Sequence, residues 1–294
     1  MIISRLIGGL GNQMFQYAFG KAISVRNNTE LKVDITHLNS RYNTKSMIFR
    51  NYDLDIFNLD LKIASKEEIS QFIMPKGNTT YTIYNLLNKF HRYKNIVSEN
   101  GNGFNEEYLK AKDNCYLIGY WQNHKYFSEI SGIIKKGFLI NDSLSESENI
   151  FREIANTNSV CLSYRRKEYL QDKYLGTLTG SYFDYYYKNA IELLCSKTSD
   201  PVFYIFSDDI EWCRKNVKID KKHVFIGDEH SGYKFKNKFK LMYSCKHFII
   251  PNSTFPWWAA WIADSKETIV IAPKKWYVSD IKYDNIVPEK WFRL

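Results

Sequence analysis

Residues 1–22, MIISRLIGGLGNQMFQYAFGKA, decide the fold class. An apolar run that begins at Ile2 breaks into closely spaced glycines at positions 8, 9 and 11. The segment after the glycines places apolar side chains at helical spacing, namely Met14, Tyr17, Ala18 and Ala22. A short buried strand, a glycine turn and a helix form a βα unit. We therefore predict an α/β protein whose first strand ends in a glycine loop.

The alternation of strand and helix continues through the second half of the chain. Compact apolar runs separated by helical patterns predict strands at PVFYIFSDD (201–209), HVFIGD (223–228), HFIIPNS (247–253) and TIVIAPKKW (268–276). Since no hairpin turns join these runs, the pattern favours parallel sheets with right-handed crossovers. We predict two Rossmann-like domains with a boundary near residue 150. The pattern of residues 40–110 is too weak to assign.

The composition is that of a folded globular protein. Hydrophobic residues make up 44% and charged residues 25% of the 294 positions, which excludes a short peptide and a disordered chain. The unusual feature is the aromatic share of 16%, with 22 tyrosines, 19 phenylalanines and 7 tryptophans. A core does not need that many rings, so we expect some of the tyrosines to be exposed.

The formal net charge of +9 favours anionic partners such as nucleotides or phospholipid headgroups. Much of the excess lies in residues 214–240, where nine basic residues stand against three acidic ones. This segment is either a solvated face or a surface that docks on an anionic membrane. Net charge and aromatic content alone also fit a nucleic-acid-binding protein, but no nucleic-acid-binding motif is present, and we expect no such partner.

The cysteines point to a reducing compartment. All five are widely scattered and none forms a C-x-x-C pair, so the spacing indicates neither a disulfide framework nor a zinc site. No signal-peptide core and no run of about 18 apolar residues occurs. We expect a cytoplasmic protein, with peripheral contact to the inner membrane left open.

Two clusters of polar residues follow predicted strands, where ligands bind in open parallel sheets. The first is the glycine loop, which Asn12 and Gln13 extend with two carboxamides that can hydrogen-bond sugar hydroxyls or phosphate. Its spacing is not that of a dinucleotide-binding fingerprint, and it also fits an ordinary turn. The second is the pair Arg165 and Arg166, which suits a bidentate grip on a diphosphate but equally a surface ion-pair cluster.

Two further clusters lie at later strand ends. Ser207, Asp208 and Asp209 follow the strand at 201, where a carboxylate can accept from a nucleobase or cap the next helix; capping by one aspartate is the simpler explanation. The stretch NSTFPWWAAW (252–261) begins a helix with proline in its first turn. That helix N-terminus can hold an anion, whereas the tryptophans favour packing.

These segments together resemble the bacterial α-1,2-fucosyltransferases of glycosyltransferase family 11. The motifs GGLGNQMFQYA (8–18), IFSDDIEWCRKN (205–216), LMYSCKHFIIPNSTFPWWAAWIAD (241–264) and IVIAPKKW (269–276) occur in the family's order. The resemblance spans nearly the whole chain and is weakest over residues 40–110.

The resemblance implies a GT-B-like fold with two Rossmann-like domains whose parallel sheets face a cleft. Residues 1–150 would hold the acceptor and residues 151–294 a GDP-linked deoxysugar, with the C-terminal tail free to pack back on the first domain. The implied reaction is transfer of L-fucose from GDP-L-fucose to the 2-hydroxyl of a terminal galactose, with inversion and without a metal or other cofactor. The product would belong to surface polysaccharide or O-antigen, with the acceptor carried on a lipid.

The resemblance also assigns roles to residues. The catalytic set is Arg165, Arg166 and Glu168, where the arginines meet the donor pyrophosphate and stabilise the departing GDP. The donor-binding set is Gly9, Gly11, Asn12, Gln13, Ser163, Ser207, Asp208, Asn252, Ser253 and Thr254. No metal ligands are implied.

One departure from the family pattern lies around the arginines. The family reads His-x-Arg-Arg-x-Asp-Tyr, whereas this chain has Ser163 for the histidine and Glu168 for the aspartate. The change leaves two alternatives open: a related donor such as GDP-colitose, or a degenerate member that binds GDP or glycan without transfer. Glu168 is either the general base or the counter-ion of the arginines.

Overall fold

The computed structural model describes residues 1–39, 50–72, 95–101, 103–141, 147–167, 181–276 and 286–294. The chain divides into two compact units, Met1–Gly137 and Phe138–Leu294. Each unit is built on a parallel β-sheet with helices between its strands. The predicted fold class, an α/β protein with two Rossmann-like halves of the GT-B-like kind, is confirmed.

The sheet of the first unit has the order β3-β2-β1-β5-β4. Its strands are β1 (Ile2–Arg5), β2 (Leu31–Asp34), β3 (Lys62–Ile63), β4 (Ile96–Ser98) and β5 (Cys115–Ile118). Its α-helices are α1 (Leu10–Arg26), α2 (Thr36–Asn39), α3 (Lys66–Ser70) and α4 (Ser131–Gly137), with 3₁₀ turns at Leu54–Ile56, Glu106–Lys110 and His124–Ile130.

The strand order of the first unit reverses beside β1. Ser4 of this strand pairs with Val33 of β2 on one side and with Leu117 of β5 on the other, and every pairing is parallel. The chain therefore leaves β1 toward β2 and later returns on the opposite side. Such a switch point opens a crevice at the carboxyl ends of the strands, where ligands bind in α/β sheets.

Helix α1 is buried along most of its length because it packs against both the sheet and an aromatic cluster. Phe15 and Phe19 are fully buried, and the ring of Phe19 stacks on Trp121 with centroids 4.1 Å apart. Tyr126 meets the same phenylalanine edge-on at 5.0 Å. These rings fix the chain that follows β5 against the helix that follows β1.

The sheet of the second unit has the order β11-β10-β9-β6-β7-β8, and all its pairings are parallel. Its strands are β6 (Asn158–Tyr164), β7 (Pro201–Ser207), β8 (His223–Ile226), β9 (His247–Ile249), β10 (Val270–Ala272) and β11 (Phe292–Arg293). Its α-helices are α5 (Glu148–Asn156), α6 (Ser181–Lys197), α7 (Ile210–Asn216), α8 (Lys236–Tyr243) and α9 (Thr254–Ala263), with 3₁₀ turns at Asp228–His230 and Tyr233–Phe235.

Two buried tyrosines of α6 tie the helix to the carboxyl ends of the central strands. The hydroxyl of Tyr187 donates to the carbonyl oxygen of Ser163 at 2.7 Å, and that of Tyr186 donates to the carbonyl oxygen of Ile250 at 2.6 Å. Trp257 and Trp258 of α9 are fully buried, and the indole N–H of Trp257 donates to the carbonyl of Ile286. Packing is therefore the role of these tryptophans.

The boundary between the units lies between Gly137 and Phe138, whereas the sequence pattern places it near residue 150. The difference arises because the residues after α4 pack into the second unit. Phe138 meets Trp258 edge-on at 5.2 Å, and the backbone N–H of Ile140 donates to the hydroxyl of Tyr243 at 3.0 Å. At the other end of the chain, β11 pairs with β10, so the described part of the tail completes the second sheet.

Two sequence predictions about chemical environment can be compared with the structure. All five cysteines are free thiols, and four of them are buried. Within the described ranges, no helix has the length and apolar character needed to cross a membrane.

Candidate functional site

The second sheet reverses its strand order between β6 and β9, and a side-chain hydrogen bond spans that point. Arg165 follows β6 directly, and Ser253 lies in the loop after β9. The guanidinium Nη1 of Arg165 donates to the Oγ of Ser253 at 2.8 Å, and the serine is buried. The two predicted site residues therefore meet at the ligand crevice of the sheet.

The neighbouring arginine is held by residues that follow β7. The backbone N–H of Arg166 donates to the carboxylate of Asp208 at 2.8 Å, and its Nη1 pairs with the carboxylate of Asp209 at 3.0 Å. Its guanidinium also lies over the ring of Trp212, 4.7 Å from the centroid. An ion pair and a cation–π contact fix this side chain at the carboxyl end of the sheet.

The N-terminus of α7, which follows the loop after β7, is capped differently from the sequence prediction. Asp209 occupies the N-cap position of α7, but its carboxylate makes no capping hydrogen bond because it pairs with Arg166. The Oγ of Ser207 accepts from the backbone N–H of Asp209 at 2.9 Å instead. The prediction that one of the two aspartates caps the helix is not met at the N-cap: Asp209 pairs with Arg166, Asp208 accepts from the Arg166 N–H, and Ser207 orders the loop.

The N-terminus of α9 lies beside Arg165. Ser253 is the N-cap residue, yet its hydroxyl makes no capping bond and accepts from the guanidinium of Arg165. The amide of Asn252 donates to the carbonyl of Trp276 at 2.8 Å and anchors the loop, and Thr254 is the first helical residue.

The electrostatics of this edge favour an anion. The guanidinium of Arg165 lies where a ten-residue helix begins, and the positive end of the helix dipole adds to its charge. Arg165 and Arg166 offer the forked donors that match phosphate oxygens. The predicted donor residues Ser163, Ser207, Asp208, Asn252, Ser253 and Thr254 all lie at the carboxyl end of β6, β7 or β9. The arrangement can bind a diphosphate and stabilise charge that develops on it.

The glycine loop of the first unit lies at the corresponding point of its own sheet. Gly8 has φ +76°, and a Cβ on it would lie 2.5 Å from the Nδ2 atom of Asn12, so the position requires glycine. Gly9 is the N-cap of α1, and Gly11 is buried in its first turn. The Oδ1 of Asn12 accepts from the amide of Gln122 at 2.8 Å, which links the loop after β1 to the loop after β5.

Gln13 is fully buried and holds the loop from within. Its amide nitrogen donates to the carbonyl oxygens of Gly8 and Asn51 at 2.9 and 2.8 Å, and its amide oxygen accepts from the N–H of Asp53 at 2.9 Å. A structural role is therefore established for Gln13. Direct contact of Gly9, Gly11, Asn12 and Gln13 with a donor stays a prediction.

Glu168, predicted as a catalytic residue, lies outside the described residues, and its role stays a prediction. The sequence motifs did not point to Trp212 or Gln122. Trp212 could have been found from its position four residues after Asp208 on the next helix, which turns it back toward the strand end. Gln122 could have been found as a carboxamide just beyond a buried strand. Within the described chain, no group of three His, Cys, Asp or Glu side chains is placed to bind a metal ion.

Comparison with known proteins identifies the class to which this fold and site belong. The model of the family "Glycosyl transferase family 11" matches residues 1–294. The chain belongs to this family, and it is a glycosyltransferase. The predicted resemblance is confirmed over the whole length of the chain.

Two relatives and one solved structure show where the similarity lies. An alpha-1,2-colitosyltransferase from Escherichia coli is 33% identical, with 100% of this chain and 99% of that protein aligned. The O-antigen biosynthesis glycosyltransferase WbnK, also from Escherichia coli, is 28% identical over 99% of each. The crystal structure of the fucosyltransferase NodZ from Bradyrhizobium shares the fold, with a TM-score of 0.50 and 10% identity over 88% of this chain and 90% of that one.

Proposed function

We propose that the protein is a galactoside 2-alpha-L-fucosyltransferase that moves L-fucose from GDP-L-fucose to the 2-hydroxyl of a terminal galactose-type acceptor. The second unit holds the GDP-sugar and the first unit holds the acceptor. The observation that carries the proposal is the Arg165–Ser253 hydrogen bond, which fixes a guanidinium at the switch point of the second sheet. The relative WbnK supports a place in O-antigen synthesis.

In the proposed reaction, the acceptor oxygen attacks the anomeric carbon from the face opposite GDP. The bond between that carbon and the phosphate oxygen breaks, its electron pair leaves with GDP, and the acceptor hydroxyl gives its proton to a base. Arg165, Arg166 and the N-terminus of α9 stabilise the charge that grows on the diphosphate. Since these groups supply the positive charge, the proposed reaction uses no metal and no other cofactor.

The residue at position 163 and one relative favour a second donor sugar. Ser163 is buried at the carboxyl end of β6, where the family pattern has histidine. A relative that transfers colitose is 33% identical over the whole chain. Colitose is fucose without its 3-hydroxyl, so GDP-colitose is the alternative donor.

The test is a transfer assay with each donor and a set of β-galactosides, in buffer with EDTA. Mass spectrometry of the products and the anomeric coupling constant in NMR spectra report the sugar, its linkage and inversion. We expect an α-linked product on the galactose 2-hydroxyl from GDP-L-fucose. A product from GDP-colitose alone would show that GDP-colitose, rather than GDP-L-fucose, is the donor.

A pair of variants separates chemistry from folding. Arg165→Ala removes a donor to the diphosphate and is expected to lower the transfer rate on the order of several hundred-fold. Arg214→Ala serves as the control because Arg214, in α7, pairs with Glu211 of its own helix. GDP binding without transfer from either donor would contradict the proposal and favour a degenerate, non-catalytic member.

We also propose that the second unit meets an anionic membrane surface through the turn Gly232–Lys236. Tyr233 and Phe235 are 60% and 57% exposed, and lysines 234 and 236 flank them. Exposed rings beside lysines fit the interface of an anionic bilayer. Not every basic residue of the segment 214–240 contributes to this membrane contact, because Lys238 is buried and pairs with Asp228.

Sedimentation with liposomes of phosphatidylglycerol and phosphatidylethanolamine tests this contact. We expect binding at low salt that the double change Tyr233→Ser and Phe235→Ser removes. Tyr185→Ser is the control, since Tyr185 is 61% exposed but lies in α6. Equal binding by the double variant, or no binding by the wild type, would overturn the contact.

A further inference from the structure

Arg166 and Trp212 meet because the strands that precede them end side by side. β6 and β7 are paired in parallel, and their last residues, Tyr164 and Ser207, lie opposite each other. Arg166 is the second residue after β6, and Trp212 lies in the first turn of α7, which begins at Ile210. The guanidinium and the indole therefore meet within the second unit, at the edge where parallel sheets bind ligands.

Three contacts determine where the Arg166 side chain lies. Its backbone N–H donates to Asp208 at 2.8 Å, and its Nη1 donates to Asp209 at 3.0 Å. Its guanidinium carbon lies 4.7 Å from the centroid of the Trp212 ring. A planar guanidinium stacks on aromatic faces, so the indole fixes the plane of the fork while the carboxylate fixes one end of it.

The same contacts leave one edge of the guanidinium for a ligand. Asp209 takes Nη1 and the indole covers one face, so neither contact uses the edge that carries Nε and Nη2. The Arg166 side chain is still 31% exposed. An arginine edge with two N–H donors matches two phosphate oxygens. Arg166 is thus held by protein groups and presents further donors to an anion.

The indole of Trp212 is supported by the aromatic core of the second unit. Phe183 meets the Trp212 ring edge-on, with centroids 6.1 Å apart and an interplanar angle of 77°. Phe183 also packs against the buried Tyr187 at 4.8 Å, and the Tyr187 hydroxyl is bonded to the carbonyl oxygen of Ser163. The next residue of α7, Cys213, is fully buried. The ring under Arg166 therefore rests on packed core side chains.

Holding Arg166 in place before a ligand arrives has a consequence for affinity. An arginine side chain that is ordered only on binding loses rotamer freedom, which weakens affinity by about 2- to 10-fold. In this protein the indole and the Asp209 carboxylate order the side chain in advance. A diphosphate at this edge therefore meets a preorganised guanidinium.

We propose that Trp212 is a positioning residue for the diphosphate of the GDP-sugar and that it acts by holding the guanidinium plane of Arg166. This assignment rests on the proposed function, in which Arg166 stabilises the charge of the departing GDP. Trp212 does not touch the donor. Its effect on donor affinity passes through the arginine.

Calorimetric titration of GDP into Trp212→Leu tests this role. The variant keeps an apolar side chain but loses the ring, and it is expected to bind GDP about 2- to 10-fold more weakly. Trp212→Phe keeps an aromatic face and should restore the affinity to within about twofold of the wild type. Phe225→Leu is the matched control, because Phe225 lies under Arg214 at 5.4 Å in the same unit, and it should bind GDP as the wild type does.

A double-mutant cycle separates positioning from direct contact and from damage to the fold. In the Arg166→Ala background, Trp212→Leu should change GDP affinity by less than about twofold, because the side chain that the ring positions is gone. Guanosine, which lacks the diphosphate, should bind equally to Trp212→Leu and to the wild type. If Trp212→Leu does not fold, Trp212→Met repeats the comparison with a flexible apolar side chain.

Wild-type GDP affinity in Trp212→Leu, or the same loss in Trp212→Phe, would overturn the role of Trp212 while the donor site stands. An undiminished loss in the Arg166→Ala background, or an equal loss for guanosine, would overturn it too, because the ring would then act on the ligand or on the fold. No binding of GDP to the wild type would overturn the proposed donor site together with this assignment.

Discussion

The Nη1 of Arg165 lies 2.8 Å from the Oγ of Ser253, and this contact joins the ends of β6 and β9 across the switch point of the second sheet. A serine at a helix N-cap ordinarily accepts from the first turn of its own helix. Here the hydroxyl accepts from the arginine, and the first N–H groups of α9 receive no bond from the cap side chain. Both features concentrate hydrogen-bond donors at one place, which is what a diphosphate requires.

The first prediction concerns Ser253. Ser253→Ala removes the acceptor that orients the Arg165 guanidinium, and a hydrogen bond to a charged group contributes about 1.5 kcal/mol or more. We expect about tenfold weaker GDP binding in calorimetric titration. We also expect a loss of about 1.5 kcal/mol of stability, because the same hydrogen bond is present in the free protein. Ser196→Ala, at an exposed serine of α6, is the control. Unchanged GDP affinity would show that the contact does not orient the arginine.

The second prediction concerns the glycine loop. Gly8→Ala forces a Cβ against Asn12 in a left-handed conformation and is expected to cost about 1–3 kcal/mol of stability. Gly132→Ala is the matched control, because a Cβ there meets nothing within 4 Å, and it should stabilise by less than about 1 kcal/mol. Melting temperatures of the two variants measure this difference in stability. Equal melting temperatures would mean that the loop relaxes at no cost.

The third prediction concerns pH. His247 is buried, its Nδ1 accepts from the N–H of Ile269 at 3.1 Å, and its Nε2 pairs with the Oδ1 of Asn158 at 3.1 Å, so the ring is held neutral. Burial lowers the pKa of His247 in the folded protein, whereas the unfolded chain takes up the proton at about pH 6.5. Below that pH the unfolded state binds more protons, so stability falls as pH falls and rises as pH rises.

Melting temperatures measured between pH 7.5 and 5 check this linkage. His247→Gln, which cannot titrate, is expected to show a smaller loss of melting temperature toward acid than the wild type. His223→Gln, at the first residue of β8, is measured beside it as a second histidine variant. An unaltered pH dependence in His247→Gln would contradict the role of this ring.

The strand and helix order could be predicted because it depends on local pattern. The predicted strands after residues 201, 223, 247 and 268 correspond to β7 to β10, and the predicted glycine turn begins α1. By contrast, β3 and β4 have two and three residues, too few to leave a periodic signal. The observed domain boundary differs from the predicted one because Phe138 packs on Trp258 by a long-range contact, which no local pattern reveals.

The candidate site could be predicted in part for the same reason. Arg165 and Arg166 stand out as adjacent arginines directly after a strand, so their type and position reveal them. The partners of each side chain depend on tertiary structure: Ser207 rather than Asp209 orders the loop, and Gln13 turns inward to the backbone.

The most direct test of the central claim is isothermal titration of GDP into the wild type and Arg165→Ala, in buffer with EDTA. We predict metal-free binding by the wild type and a loss of about 2–5 kcal/mol of binding free energy in the variant, because the charge of the bound diphosphate loses its partner. Arg214→Ala should bind as the wild type does. Equal affinity for GDP in Arg165→Ala and the wild type, or no binding to either without a metal, would contradict the account.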